Sequence, residues 1–290
     1  MAQLKLTQRC EQIRGLDTAW LEGGNENGPI MLFMHGYPDT PESWSSQFPH
    51  FLEHFHVIAP YSRGTFPSAP SKQVRRYGNP STALDYLAIL DRATHGNRNK
   101  PVIAVGHDLG AVHAWYLSNL LGKRLKGMVV INGLSVPQMA SRLTQFQQQK
   151  KSWYIYAFQL PRLPELVLRR FPGRLISFAH RQAKLRPDLR PRIAHTVKGL
   201  VNPVNQYRAH VRMLPWELGE RAPVVQAPVM VLWGENDPFL INPRHDEIAA
   251  YARNFTIRML PGSHWVHREK PDLVNQLIGE FAQQSLETHA

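Results

Sequence analysis

With 290 residues, 43% of them hydrophobic and 10% aromatic, the chain is too apolar for a disordered protein. It is long enough for one large α/β domain or a core with an inserted subdomain. Its one cysteine, Cys10, excludes an intramolecular disulfide and any cysteine-based zinc site, and fits a reducing compartment. Lys and Arg outnumber Asp and Glu by 34 to 22, a net charge of +12, and residues 133–222 alone carry 16 basic and 4 acidic side chains. The remainder is formally neutral, so that segment is expected to be a distinct subdomain whose outer face meets something anionic.

From the start of the chain, Leu4 to Ile13 and Asp17 to Leu21 read as two edge strands joined at Gly15, and Gly23 to Gly28 as a turn cluster. Met1 to Gly15 is polar with no apolar centre, so no signal peptide is expected. No apolar run reaches the length of a membrane span, and the expected location is cytoplasmic. Pro29 to Met34 reads as a buried strand ending at His35-Gly36-Tyr37-Pro38. Pro41 to His54 follows as a helix, with Trp44, Phe48, Phe51 and Leu52 at helical spacing, and then His56 to Pro60 as the next strand. Asn79-Pro80-Ser81 opens a helix with Leu84, Leu87, Ile89 and Leu90 as apolar positions. Pro101 to Val105 and Leu125 to Asn132 are further strands. Pro228 to Gly234 and Phe255 to Leu260 resume the pattern. Pro271 to Leu286 closes it as an amphipathic helix with Leu273, Leu277, Ile278 and Phe281 on one face.

Strands alternating with helices predict a mainly parallel sheet covered by helices on both faces. Between Pro137 and Trp216 the alternation stops, and the chain reads as helices broken by Pro161, Pro164, Pro172, Pro187, Pro191 and Pro203. The expected organisation is a core of residues 1–136 and 217–290 with a basic helical cap, 137–216, inserted into it. No internal repeat or low-complexity stretch is visible.

The candidate chemistry centres on Pro101 to Ala111. A short β-branched run leads into Gly106-His107-Asp108-Leu109-Gly110, and a helical pattern follows at once. Strand, glycine-bracketed residue and helix make a nucleophile elbow, a strained turn that lifts one side chain above the sheet. Here that side chain is Asp108, where most such turns carry Ser. A carboxylate with pKa near ~3.9 is ionised at neutral pH and needs no base to attack an sp3 carbon. The product would be an alkyl ester of Asp108, which water can cleave, whereas serine would give an ether. The acid and histidine that follow in chain order are Asp237, in Trp233-Gly-Glu-Asn-Asp-Pro-Phe239, and His264, in Pro261-Gly-Ser-His-Trp-Val266. Each lies just past a strand, where parallel sheets hold their ligands. His264, oriented by Asp237, would activate the water that cleaves the ester. The backbone N–H groups of Tyr37 and Leu109 stand where an oxyanion hole would form.

These residues resemble the α/β-hydrolase superfamily and, within it, the epoxide hydrolases. The likeness covers nearly the whole chain: His35-Gly36-Tyr37-Pro38, the Gly106 to Gly110 motif, Asp237 and His264. It implies an α/β-hydrolase fold with a helical cap and a cofactor-free, metal-free hydrolysis of a small-molecule epoxide to a diol. The two motifs are shared with haloalkane and fluoroacetate dehalogenases, so the cap must choose the leaving group. Epoxide hydrolases resemble one another in setting two cap tyrosines over the nucleophile to hydrogen-bond the epoxide oxygen. By that resemblance Lys151-Ser-Trp-Tyr-Ile-Tyr-Ala-Phe-Gln-Leu-Pro161 selects Tyr154, and Asn205-Gln-Tyr-Arg208 selects Tyr207. A phenol of pKa ~10 is a neutral donor suited to an opening ring. Leu109 stands where haloalkane dehalogenases carry a halide-holding indole and fluoroacetate dehalogenases an arginine, and Tyr154 stands where the latter carry histidine. The chain also departs from the common epoxide hydrolase pattern, with Leu109 for a frequent Trp and no Asp after Pro60 in Pro60-Tyr-Ser-Arg63.

Each assignment has a plainer reading. Asp108 could hydrogen-bond its own turn. Asp246 rivals Asp237, and His267 rivals His264. His107 reads as a structural residue of the elbow, His113 as an ordinary helix residue, and Tyr154 and Tyr156 as packing. The alternative activity is a hydrolytic dehalogenase using the same Asp108. An alternative of another class is a non-catalytic binding protein on a hydrolase fold, against which the intact set of catalytic residues stands. The basic cap is most simply a solvated face, but the run from Leu166 to Arg192 would also suit an anionic membrane. Nucleic-acid binding is not expected, since no recognised module accompanies the charge. Oligomeric state is unreadable.

Overall fold

A strand buried on both faces must be apolar at nearly every position, and four here are buried throughout: β3 (Ile30–Met34), β4 (His56–Pro60), β5 (Val102–His107) and β7 (Val229–Gly234). They belong to the computed structural model of the chain, which describes residues 5–182, 201–219 and 224–288. With β1 (Thr7–Ile13), β2 (Leu16–Gly24), β6 (Leu125–Ile131) and β8 (Phe255–Leu260) they form one eight-stranded sheet in the order β1-β2-β4-β3-β5-β6-β7-β8. The six strands from β4 to β8 run parallel, and β1 and β2 extend the sheet antiparallel. The α-helices of five or more residues among the described residues are α1 (Asn79–Ala93), α2 (Leu109–Leu121), α3 (Val136–Arg142), α4 (Phe146–Lys151), α5 (Trp153–Ala157), α6 (Leu163–Arg170), α7 (Pro172–Gln182), α8 (Val204–Gly219), α9 (His245–Ala249) and α10 (Pro271–Glu287).

Alternation along β3 sends Ile30, Leu32 and Met34 into the core under α1 and α2. Met31 and Phe33 enter the core under α10 and the turn Phe48–Phe51. Each fully buried Val, Leu or Ile of these layers contributes about 1.5–3 kcal/mol. The expected parallel sheet covered on both faces is therefore the one observed.

Four local expectations are corrected. β2 is not an edge strand: its second half pairs with β4, from Trp20 with Pro60 to Gly24 with His56, so it lies between β1 and β4. Gly23 and Gly24, expected in a turn, are its last residues. Pro41 to His54 is not one helix but a 3-10 turn, Pro41–Trp44, and a single helical turn, Phe48–Phe51. Pro49 lacks the N–H a continuous helix would need, yet Trp44, Phe48 and Phe51 still pack on Phe33. On α10 the buried stripe is Val274, Ile278 and Ala282, while Leu273 faces solvent.

Between β6 and β7 the chain forms α3 to α8. Several prolines start helices there: Pro137 and Pro164 lie at the second helical position of α3 and α6, and Pro172 opens α7. Leu4 and, from the basic run, Lys184, Arg186, Pro187, Arg190, Pro191 and Arg192 lie outside the described residues.

Polar side chains tie this segment to the loop that follows β7. Arg142, wholly buried, donates to the carbonyls of Ile241 and Asn242. Gln148 donates to Phe239 O (2.7 Å) and accepts from Ile241 N (3.0 Å), and Lys151 donates to the carbonyls of Asp237 and Leu240. On the other side, His113 of α2 is not an ordinary helix residue. Its ring lies between Asn79 Oδ1 (2.8 Å) and Gln206 Oε1 (2.9 Å), and Gln206 Nε2 donates to Ser62 Oγ (3.2 Å). Burial pushes the His113 pKa down to about 3, so the ring is neutral, with one N–H to donate to the amide oxygens beside it.

Truncating that chain leaves buried polar atoms without partners. Gln206→Leu is expected to lower stability by about 1–3 kcal/mol, read as an earlier urea midpoint. Gln226→Leu, at an exposed position, should change it by less than about 0.5 kcal/mol. Equal midpoints for the two would show that the tie does not hold the segment.

Candidate active site

β5 ends at His107 and α2 begins at Leu109, which leaves one residue for the whole turn between them. That residue, Asp108, takes φ 53° and ψ −119°, a strained conformation for a non-glycine side chain. The turn is possible because Gly106 and Gly110 touch: a Cβ on Gly106 would lie 2.5 Å from Gly110 O. Opposite, Gly36 lets the loop after β3 close on the turn, since a Cβ there would sit 2.4 Å from Asp108 Cβ. In that loop the Tyr37 N–H donates to Asp108 Oδ1 at 2.8 Å. His35 holds the loop, paired through Nδ1 with Gly36 O (2.8 Å) and accepting at Nε2 from Ser62 N–H (3.1 Å). The Leu109 N–H lies in the first turn of α2, where backbone donors have no helical acceptor.

Strands β7 and β8 bring the other two groups to the same end of the sheet. His264 places Nε2 3.4 Å from Asp108 Oδ2 and Nδ1 2.7 Å from Asp237 Oδ2. Asp237 is saturated with donors. Its Oδ1 accepts from the backbone N–H groups of Phe239 (2.7 Å) and Leu240 (3.0 Å), and its Oδ2 also accepts from Asn132 Nδ2 (2.7 Å). Asn132, wholly buried just past β6, also accepts from Gly234 N–H (2.9 Å) and so fixes the start of the acid loop. The sequence reading missed Asn132. An asparagine just past a buried strand was the available signal, and its positive φ of 42° is visible only in the fold.

Burial opposes charge on His264, but the carboxylates of Asp237 and Asp108 prevail and its pKa is raised to about 10. Burial likewise opposes ionisation of Asp108 and Asp237, yet the His264 cation and the donors around them hold both below the usual carboxylate range. The site at rest is an imidazolium between two carboxylates.

The rivals fall away on geometry. Asp246 is exposed and pairs with Arg244. His267 lies buried behind His107, with ring centroids 4.5 Å apart, and burial holds its pKa well below the usual histidine range. His107 is held by the carbonyl of His264, 2.8 Å from its Nε2. Burial and the neighbouring His264 cation lower the His107 pKa to about 4, so it is a neutral support.

Two cavities meet above Asp108, with empty volumes of about 690 and 490 Å³, and Asp108, Tyr154 and Tyr207 line both. The first is walled chiefly by apolar side chains, among them Leu109, Val112, Val136 and Met139. The second is aromatic, with Tyr37, Trp153, Phe158 and Phe239 in its wall beside Pro38. The Tyr154 and Tyr207 rings meet edge to face at 5.7 Å. Burial, reinforced by the Asp108 charge, raises both phenols well above the ordinary tyrosine pKa, so each stays a neutral donor. Tyr156, two residues on from Tyr154, is 51% exposed and lines neither cavity. Among the described residues no group of three or more His, Cys, Asp or Glu could hold a metal ion, and no helix is long and apolar enough to cross a membrane.

The sequence pattern of the alpha/beta hydrolase fold matches residues 29–271. Mouse epoxide hydrolase 3 is 33% identical over 291 residues, covering 94% of this chain and 75% of that protein. The crystal structure of a Bacillus megaterium epoxide hydrolase in complex with an inhibitor superposes with a TM-score of 0.78 at 23% identity, covering 95% of this chain and all of that one. That of a putative acyltransferase from Salmonella enterica superposes with a TM-score of 0.84 at 19% identity, covering 97% of this chain and 96% of that one. Likeness at so low an identity speaks for the fold and not for the chemistry. With its family pattern matched over most of its length, the chain belongs to the α/β-hydrolase fold family, and among that family's members it is similar to epoxide hydrolases.

Proposed function

We propose that the chain is an epoxide hydrolase, in which residues 137–216 form a cap over a core of 1–136 and 217–290. One observation carries the reading: an ionised carboxylate, Asp108, shares both of its cavities with two neutral phenols, the buried Tyr207 and the partly buried Tyr154. A nucleophile that displaces at carbon is thereby faced with donors for the oxygen it displaces.

In the proposed reaction Asp108 Oδ2 attacks a ring carbon of the epoxide. The C–O bond of the ring breaks, an alkyl ester of Asp108 forms, and Tyr154 and Tyr207 hydrogen-bond the emerging alkoxide. One proton must reach that oxygen, and the imidazolium of His264 is the site's store of one. Neutral His264, oriented by Asp237, then takes a proton from water, whose oxygen adds to the Asp108 carboxyl carbon. Charge developing on Oδ1 meets the Tyr37 N–H already bonded there, with the Leu109 N–H as its partner donor. Collapse releases the diol and restores carboxylate and imidazolium, so every proton is accounted for. The residues at hand favour this over a dehalogenase. Leu109 beside Asp108 has no donor side chain, and Trp265 in the cavity wall gives its indole N–H to Asp39 (2.7 Å).

Turnover of a panel of epoxides, haloalkanes and fluoroacetate tests the reading. Diol formation is expected from epoxides, and Asp108→Asn should abolish it. His264→Gln should instead accumulate an enzyme ester, seen as a protein mass increased by that of the epoxide. Halide release without diol would replace the proposal by the dehalogenase. Turnover of nothing would replace it by a binding protein.

Tyr154→Phe and Tyr207→Phe should each slow ester formation by about 10²–10³-fold, the usual effect of removing one such donor. Ester cleavage measured in single turnover should change far less.

The pH dependences of the two steps should also separate. Ring opening needs ionised Asp108, whose pKa is depressed, so its rate should stay level down to about pH 5. Ester cleavage needs neutral His264. Esterification removes the Asp108 charge that helps hold the proton on that ring, so its pKa falls in the intermediate. The cleavage rate should therefore decline as pH is lowered, and rapid-quench kinetics showing parallel profiles would refute the assignment of His264 as base.

A further inference from the structure

The largest unexplained feature lies outside the cavities. Of the fourteen large apolar side chains exposed among the described residues, nine fall within residues 146–178. Phe146 (68% exposed) and Leu166 (65%) stand out most. Trp153 and Tyr156 lie one turn apart on α5, and Leu163, Leu166 and Val167 share a face of α6, with Leu160 exposed between the two helices. Soluble surfaces seldom gather so many without a use for them.

The charges between them are of one sign. Residues 146–182 carry seven Lys or Arg and a single acid, Glu165, which is engaged by Arg208. The cations lie against the aromatics: Lys150 is 4.4 Å from the Phe146 ring, and Arg170 and Arg174 are 5.1 and 4.5 Å from that of Phe171. Apolar rings with cationic heads beside them suit a surface that is anionic outside and hydrocarbon within. An acidic protein would answer the charge but not so many protruding apolar side chains.

The same face reaches the site. Trp153, half exposed, stacks edge to face on Phe178 at 6.2 Å, and both are walls of the cavity that holds Asp108, Phe239 and His264.

We infer that the face formed by α4 to α7 docks on an anionic lipid bilayer, with the aromatic cavity turned toward the lipid. On the reading of the site as an epoxide hydrolase, this lets an apolar epoxide pass from bilayer to Asp108 without crossing water. The docking itself involves no catalytic group.

Flotation of the full chain with vesicles tests it. Binding to phosphatidylcholine containing phosphatidylglycerol is expected to exceed binding to phosphatidylcholine alone by about tenfold or more, and to fall as salt is raised. Leu166→Asp should abolish flotation. Arg169→Gln with Arg170→Gln should weaken it by about tenfold or more, while Met259→Asp, exposed on β8, should leave it unchanged. Asp108→Asn should float like the parent protein, which keeps this result separate from the fate of the hydrolase reading. Equal flotation with both lipids, or unchanged flotation of Leu166→Asp at a parental melting temperature, would overturn the inference. So would a stable homodimer in light scattering that Leu166→Asp dissociates, since the face would then be an interface between copies.

Discussion

The geometry at the carboxyl ends of the sheet depends on one constraint, an imidazole held between two carboxylates, Asp237 fully buried and Asp108 largely so. Burial alone would neutralise all three groups. What keeps them charged is that each finds the others together with a full set of donors. Asp237 accepts from His264, Asn132 and two backbone N–H groups, and Asp108 accepts from the Tyr37 N–H. Removing one partner from such a set leaves a charge uncompensated, which typically costs about 3–5 kcal/mol. The surrounding structure is therefore arranged around these bonds: the glycine contacts that allow the elbow, the loop held by His35, and the asparagine that anchors the acid loop.

The two tyrosines come from a different part of the chain, and each is tied to the core close to its own position. Lys151, three residues before Tyr154, donates to the carbonyl of Asp237 itself, and Gln148 grips the same loop at Phe239 and Ile241. Gln206, next to Tyr207, joins His113 of the elbow helix to Ser62, whose N–H supports His35 and thus the Tyr37 loop. In the proposed reaction each tyrosine would have to lie within a few tenths of an ångström of its place beside a reacting oxygen, which packing alone would not ensure. Gln148, Gln206 and the neutral His113 supply much of that orientation without adding charge to the cavity.

Much of this was legible in the residues, and the parts that were not share a cause. The elbow was legible because only glycine tolerates the contacts on either side of Asp108, and the strands because burial on both faces leaves an apolar run. Asp237 and His264 followed from their places after strands. Tyr154 and Tyr207 came only from resemblance, since an aromatic in a helical segment carries no local mark of what it faces. β2 was misread because Gly23 and Gly24 look like a turn, whereas pairing with β4 extends the strand through them. Gln148 and Gln206 carried no local mark and Asn132 only a faint one, because their role is to hydrogen-bond residues 90 or more positions away in the chain. A polar residue's partners are set by topology, and topology is not written in local pattern.

The charges around Asp108 also bear on how two unlike steps share one site. At rest its carboxylate acts on three neighbours in the same sense. It raises the pKa of His264, which keeps its proton, and those of Tyr154 and Tyr207, which keep theirs. In the proposed reaction, formation of the ester abolishes that charge. The phenols then become better proton donors as an alkoxide appears beside them, and His264 becomes easier to deprotonate as a base is required. A single covalent event thus shifts each group in the direction that the following step needs, with no movement of the protein. A serine at position 108 would be neutral both before and after acylation, so it could not produce this change. In the proposed reaction the choice of Asp at the apex would therefore bear on more than the bond it forms, because the protonation state of the whole pocket would follow the reaction's progress.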